Sequence, residues 1–132
     1  MSEVTTDDRL QITELIMQVN QAFDAVDIPR FLECFVEDGS MIGPRQTATG
    51  HAELAQWVEQ TVSRPPHRHF TTNVVISPDP DAPDRATIRS HWLYVEYRDG
   101  AVVADGMGVY EDEVIRTASR WRVKRRLAIR DF

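Results

Sequence analysis

The apolar residues of this chain change period once, and that switch restricts the fold more than any other feature. Before Pro65-Pro66 they recur every three or four residues; afterwards they alternate, and β-branched and aromatic side chains become commoner. From Thr5 to about Val26, the residues Ile12, Leu15, Ile16, Val19, Phe23 and Val26 form one face of a helix, which Thr5 and Asp8 cap at its start. A second, short helix is expected from about Pro29 to Val36, with proline in its first turn and Phe31, Leu32 and Phe35 as its apolar side. Glu37-Asp38-Gly39 ends it. A third helix should run from near Gly50 to Val62, with Leu54, Trp57, Val58 and Thr61 on one side. Strands are expected over residues 68–77, 85–98, 101–116 and 120–129, with Asp99-Gly100 as a hairpin turn and residues 78–84, PDPDAPD, as an exposed loop. Helices first and long strands afterwards predict an α+β fold: three N-terminal helices packed on one face of a curved mixed, mainly antiparallel sheet. A cavity is expected between the first helices and the concave sheet face.

At 132 residues the chain has room for one domain, read as 1–132, and for a core that buries roughly two thirds of the unfolded surface. The opening MSEVTTDDR is acidic and polar and no long apolar stretch follows, so neither a secretory signal nor a membrane span is expected, and the default compartment is cytoplasmic. Cys34 is the single cysteine, which excludes an intramolecular disulfide and reads as a small buried hydrophobe. A net charge of -6 is the wrong sign for nucleic acid or an anionic membrane as partner. Five of the cations crowd into Arg120 to Arg126. They read as a solvated strand face rather than a phosphate-binding stripe, because Glu111, Asp112 and Glu113 stand on the preceding strand to pair with them.

Several short motifs then occur in series: Phe23-Asp24-Ala25-Val26-Asp27, Cys34-Phe35-Val36-Glu37-Asp38-Gly39, His69-Phe70-Thr71-Thr72-Asn73, Gly108-Val109-Tyr110-Glu111-Asp112-Glu113 and Trp121-Arg122-Val123. Their order along nearly the whole chain resembles the SnoaL-like branch of the nuclear transport factor 2-like (cystatin-like) fold. Within that branch the chain is most similar to the scytalone dehydratase and hexachlorocyclohexane dehydrochlorinase group. The resemblance implies an aspartate at the end of the first helix and a histidine on the following sheet, and Asp24 and His69 stand at those positions. It also implies a cofactor-free enzyme and a homodimer or homotrimer formed through the outer sheet face, where Val109 and Val123 are expected. The chain departs from scytalone dehydratase in carrying Phe23 for a tyrosine, Gly108 for an asparagine and, with a one-residue shift, Tyr97 for a second histidine. Those departures put that particular dehydration in doubt.

The chemistry of such a pair follows from the side chains themselves. Neutral histidine takes a proton near neutral pH once its tautomer is fixed, and a carboxylate fixes it by accepting the hydrogen of one ring nitrogen. No nucleophilic serine motif surrounds either residue, and Cys34 has no histidine near it in sequence, so proton transfer is favoured over covalent catalysis. Asp24 has a competing structural reading as a partner of backbone or arginine, and His69 as a satisfied, partly buried histidine. Asp27 reads as the cap of the second helix. His67, His69 and His91 with a carboxylate would suit zinc or iron, but no third ligand falls at a diagnostic spacing, so no metal is expected. His51 is expected to be exposed.

Phe23, Phe35, Met41 and Trp57 are expected to wall the cavity from the helices, and His91, Trp92, Tyr97, Met107 and Tyr110 from the sheet; Arg89 and Arg116 are left open between pocket and solvent. The reading is a lyase or isomerase that removes a proton from a small apolar, cyclic or aromatic compound. The alternative is a non-catalytic accessory module like the small subunit of aromatic-ring-hydroxylating dioxygenases. A ketosteroid isomerase or polyketide cyclase, in which a carboxylate alone is the base, is the other enzyme reading.

Overall fold

The computed structural model describes residues 3–132; Met1 and Ser2, part of the acidic opening segment, lie outside the described residues. Helix α1 (Thr6–Asp24) begins where the capping pair predicts. The Thr5 hydroxyl accepts from the Asp8 main-chain N–H (3.0 Å), and Asp8 Oδ2 accepts from the Thr5 main-chain N–H (2.8 Å), so two helix-end donors are satisfied reciprocally. The helix stops through Val26, which adopts a left-handed conformation at φ 54°. A β-branched residue is costly there. That turn leads into Asp27, whose side chain caps α2 (Ile28–Glu33) by accepting from the Arg30 N–H.

The second helix is shorter than expected. Phe35 and Val36 open strand β1 (Phe35–Ile42), which the sequence reading passes over, and β2 (Thr47–Thr49) returns antiparallel to it. Helix α3 (His51–Gln60) and a single 3₁₀ turn, Thr61–Ser63, precede the four long strands β3 (His67–Asp79), β4 (Ala82–Arg98), β5 (Ala101–Thr117) and β6 (Arg120–Arg130). The acidic stretch 78–84 is mostly strand rather than loop: Pro78 pairs with Ala86 and Asp79 with Ala82, leaving only a tight turn. At the next hairpin Asp99 (φ 52°) and Gly100 (φ 79°) both take positive φ, as a two-residue turn matched to strand twist requires.

The sheet order is β2-β1-β6-β5-β4-β3, with β1 and β6 parallel and every other neighbouring pair antiparallel. It is a mixed sheet with three helices against it. Ile12, Ile16 and Val19 of α1 and Phe31 of α2 meet Ile88, Val114 and Val123 in one core. Val123 is therefore fully buried there and not on the outer face, because Trp121 and Val123 take the inward positions of β6. Asp8 ties the helix start to the far hairpin, accepting from Arg116 Nη2 (2.7 Å) and from the Trp121 indole (3.1 Å). Arg116 thereby lies away from the cavity. Arg89 pairs with Glu111 on the exposed side of the sheet.

The alternation of inward residues is broken by bulges. Thr72 pairs with His91 and Val75 with Arg89, so Asn73 and Val74 together face Ser90, and Asn73 takes φ 55°. Asp105 and Lys124 are extra residues in the same way, since Tyr94 and Val95 pair with Gly106 and Ala104, and Glu113 and Val114 with Arg125 and Val123. No helix among the described residues is long and apolar enough to cross a membrane.

Candidate active site

A hollow of about 330 Å³ lies between α1, β1, α3 and the inner sheet face. Val19, Asn20 and Phe23 line it from α1, Met41 from β1 and Trp57 from α3, while Trp92, Tyr110 and Ala128 form the sheet side. Such a volume, with a mostly apolar lining and a few convergent polar groups, suits a small ligand. Trp92 is fixed by donating its indole N–H to the Ile129 carbonyl (3.1 Å), and it stacks on Tyr110 at 6.0 Å. Gly108 lies beneath this pair. A Cβ there would sit 1.9 Å from the Ile129 carbonyl oxygen, so the close approach of β5 to β6 requires glycine.

Asp24 and His69 meet at one wall. Asp24 is the last residue of α1, and His69 enters from the edge strand β3. His69 Nδ1 donates to Asp24 Oδ1 at 2.6 Å, and the His69 main-chain N–H donates to Asp24 Oδ2 at 2.8 Å. Both carboxylate oxygens are thus committed to one residue, through its ring and through its backbone. The side chains are 15% and 14% exposed, and the ring packs edge-on to Phe23 (5.2 Å) and beside Tyr94 (4.8 Å). With Nδ1–H given to the carboxylate, Nε2 is the bare nitrogen; it makes no hydrogen bond among the described residues, and His69 lines the hollow. The arrangement can take a proton from a molecule held in the hollow.

Four residues expected at the cavity stand elsewhere. Phe35 is 1% exposed and packs on Phe31 in the core, since β1 begins at that residue and turns it under α2. His91 is exposed on the outer face, bonded to the Asn73 side chain (2.8 Å), because Trp92 takes the inward position. Tyr97, 54% exposed, points outward for the same reason of parity, as does Met107. Phe23, Met41, Trp57 and Tyr110 do line the cavity. His51 reaches back to the Phe35 carbonyl. Cys34 is buried with its thiol against the Arg30 carbonyl, and burial pushes its pKa up to about 11.

The polar lining was not foreseen. Arg126 lies in the basic run, yet it is 2% exposed, faces inward and grips Asp112 through Nε (2.8 Å) and Nη2 (3.0 Å). Its guanidinium lies 3.9 Å from the Tyr110 ring centroid and also donates to Asn20 Oδ1. Asn20 in turn donates to Thr71 (2.6 Å), linking α1, β3 and β6. The acid–base pairing expected of this run therefore exists, but at its centre it is buried rather than solvated. Burial alone would weaken the Arg126 charge; the Asp112 carboxylate overcomes that and raises its pKa. Burial pushes the Tyr94 hydroxyl up to about 12, helped by the hydrogen bond it donates to Glu96, and burial likewise holds Tyr110 at about 12. Neither phenol ionises near neutrality. Arg64, Glu96, Asp105 and Arg130 add further charged groups to the lining.

Asp24 has a second neighbour. His67 Nε2 lies 3.7 Å from Oδ1, and among the described residues Asp24, His67 and His69 bring three metal-competent atoms within 4.8 Å of one another. Of the three histidines and a carboxylate considered from the sequence, His91 is not part of this group, because it lies on the outer face bonded to Asn73.

Helices laid on a mixed sheet around a lined hollow define the nuclear transport factor 2-like, or cystatin-like, class of α+β domains. A profile of the SnoaL-like domain matches residues 4–127, and the chain belongs to that family. A Nostoc punctiforme protein of unknown function with a cystatin-like fold superposes with a TM-score of 0.87 at 26% identity, over 99% of this chain and 96% of that one. An aspartate-to-asparagine variant of a Mycobacterium tuberculosis protein of unknown function gives a TM-score of 0.89 at 24% identity, covering 96% and 78%. A Novosphingobium aromaticivorans protein carrying a scytalone dehydratase assignment gives 0.78 at 23% identity, covering 97% and 89%. No curated protein matches the sequence at a significant level.

Proposed function

We propose that this chain is a cofactor-independent lyase or isomerase that removes a proton from carbon in a small apolar cyclic compound. The observation that carries the proposal is the double grip of Asp24 on His69, beside a hollow sized for such a ligand. In the reaction, His69 Nε2 takes the proton and the C–H electron pair becomes the new π bond. For elimination, the bond to a β-leaving group breaks. A halide departs as the anion, whereas a hydroxyl departs as water after receiving the proton back from the imidazolium. For double-bond migration, the imidazolium, whose hydrogen exchanges with solvent, delivers a proton to a different carbon. Asp24 holds the tautomer and stabilises the imidazolium while it exists. The Trp92–Tyr110 wall, Phe23 and Met41 exclude water from the reacting carbon.

The scytalone dehydratase assignment of the Novosphingobium relative agrees with this reaction class. The chain is further proposed to act as a homodimer or homotrimer through the outer sheet face, where Phe70, Leu93, Met107 and Ile129 are 37–49% exposed on neighbouring strands.

The test is incubation in D₂O with cyclic β-hydroxy ketones, cyclic polyhalides and β,γ-enones, followed by mass spectrometry. Wild type should eliminate the leaving group or incorporate deuterium with at least one class, and His69→Gln should do neither while remaining folded. Turnover surviving in His69→Gln but not in an Asp24 variant would move the base to the carboxylate. Ligand binding without proton exchange in any class would instead favour the accessory-module reading.

A further inference from the structure

His67 carries an unmet requirement. It follows Pro65-Pro66 at the start of β3, and its side chain is 6% exposed. Its Nδ1 lies 2.9 Å from the Pro65 carbonyl oxygen, which can only accept, so Nδ1 bears the hydrogen. The neutral ring then presents a bare Nε2. That atom is buried and has no hydrogen-bond partner among the described residues, and Asp24 Oδ1 lies 3.7 Å from it. A lone pair faces a carboxylate with no donor between them, an arrangement costly to leave uncompensated.

We infer that Asp24, His67 and His69 form a binding site for a divalent transition-metal ion of the zinc class. The residues offer one carboxylate oxygen and two imidazole nitrogens within 4.8 Å of one another, and the distances to Oδ1 single out His67 Nε2 and His69 Nδ1, a set that suits Zn²⁺. Bond lengths of about 2.0–2.1 Å separate tetrahedral ligands by roughly 3.3 Å. The Oδ1–Nδ1 distance of 2.6 Å must therefore open, and the Oδ1–Nε2 distance of 3.7 Å must close slightly. Three protein ligands leave the fourth position open. Binding through Nδ1 requires the neutral ring's one N–H hydrogen to move from Nδ1 to Nε2. The metal accordingly occupies the atom through which Asp24 sets the tautomer and removes the bare nitrogen that faces the hollow. The ion is thus an inhibitor of proton abstraction; that consequence alone rests on the proposed function, whereas the site itself does not.

Chelator-dialysed wild type should take up one Zn²⁺ per chain by titration calorimetry, and Co²⁺ should give the visible absorption of a tetrahedral site. His67→Phe keeps a ring beside Tyr94 but no ligand, and should weaken binding by at least about tenfold. His91→Ala, on the outer face, should bind as wild type does. In long-range ¹H–¹⁵N spectra of wild type, Zn²⁺ should convert His69 from the Nδ1–H to the Nε2–H form, a readout that needs neither substrate nor a variant. No uptake by wild type, equal affinity in His67→Phe, or an unchanged His69 tautomer in the loaded protein would each overturn the site. A negative substrate screen would leave all these readings intact.

Discussion

Replacing Asp24 with asparagine separates the two grips on His69. Asp24 offers two acceptors, to the His69 main-chain N–H at 2.8 Å and to Nδ1 at 2.6 Å. Asparagine offers one acceptor and one donor. The backbone N–H cannot stop donating, whereas the ring can move its hydrogen, so the amide oxygen goes to the backbone and the amide NH₂ faces Nδ1. His69 then becomes an Nδ1 acceptor with its hydrogen on Nε2, turned towards the hollow. The exchange conserves volume and the number of hydrogen bonds, so stability should fall by only about 1 kcal/mol. Catalysis should suffer far more. A comparable tautomer reversal in the Ser-His-Asp triad of serine proteases costs about 10⁴-fold in kcat, which is roughly 5.4 kcal/mol of barrier at 1.36 kcal/mol per decade. Two measurements check this: long-range ¹H–¹⁵N spectra of histidine-labelled protein for the tautomer, and turnover of whichever compound the D₂O screen identifies. An Asp24→Asn variant that keeps the Nδ1–H form, or turns over within about tenfold of wild type, refutes the orienting role.

Gly108→Ala should be severely destabilising, by about 3 kcal/mol or more, because the new Cβ meets the Ile129 carbonyl oxygen at 1.9 Å and Trp92 at 2.9 Å; thermal melting measures it. Arg126→Met strands the Asp112 carboxylate, whose side chain is wholly buried, and should cost about 3–5 kcal/mol, whereas Arg126→Met with Asp112→Leu should recover most of that loss in a denaturant double-mutant cycle. Burial works to raise the Asp8 pKa, but hydrogen bonds from Thr5 and Trp121, with the Arg116 charge, hold it below the usual carboxylate value. A carboxyl depressed in the folded state stabilises above its unfolded pKa and loses that contribution as pH falls through its folded one. Urea midpoints should therefore drop below about pH 4 in wild type and drop less in Asp8→Asn.

The period switch at Pro65-Pro66 made α1, α3 and the four long strands legible, because each is long enough to repeat its pattern. The six-residue α2 was marked by its Asp27 cap and Pro29 rather than by period. Strand β1 was not legible. Its buried positions, Phe35, Val36, Gly39 and Met41, are interrupted by Glu37 and Asp38, which read as a helix stop, and its pairing with β6 is a parallel contact that no local signal announces. The cavity walls failed for a different reason. Strand parity decides which side chain enters. Trp92 takes the inward place on β4, which carries no extra residue from His91 to Tyr97, so His91 and Tyr97 point outward. The extra residues Asn73, Asp105 and Lys124 reverse parity along β3, β5 and β6. Val123 and Arg126, three apart, both face inward across the Lys124 bulge, so Arg126 hides within a basic run whose neighbours are partly or fully exposed. Asp24 and His69 escaped this difficulty because a helix end and a strand start fix them before any bulge intervenes.

One question decides whether Asp24 is a structural cap or a chemical partner. Strand β3 is the free edge of the sheet, and the His69 N–H points away from β4, so some acceptor must cover it; Asp24 Oδ2 does so, which accounts for half of the carboxylate without any reaction. A cap needs no more than that, and a serine or asparagine would serve. The other oxygen is what capping leaves unexplained: Oδ1 is spent on an imidazole whose second nitrogen is left unbonded at the wall of a hollow. The two roles diverge in a single comparison. His69→Phe leaves the backbone bond intact and removes the imidazole, its use of Oδ1 and its bare Nε2 together, so a purely structural Asp24–His69 pair predicts little change in ligand affinity or turnover and near-wild-type stability. An orienting Asp24 predicts retained stability and ligand affinity with turnover abolished, and that split between binding and rate is the result expected.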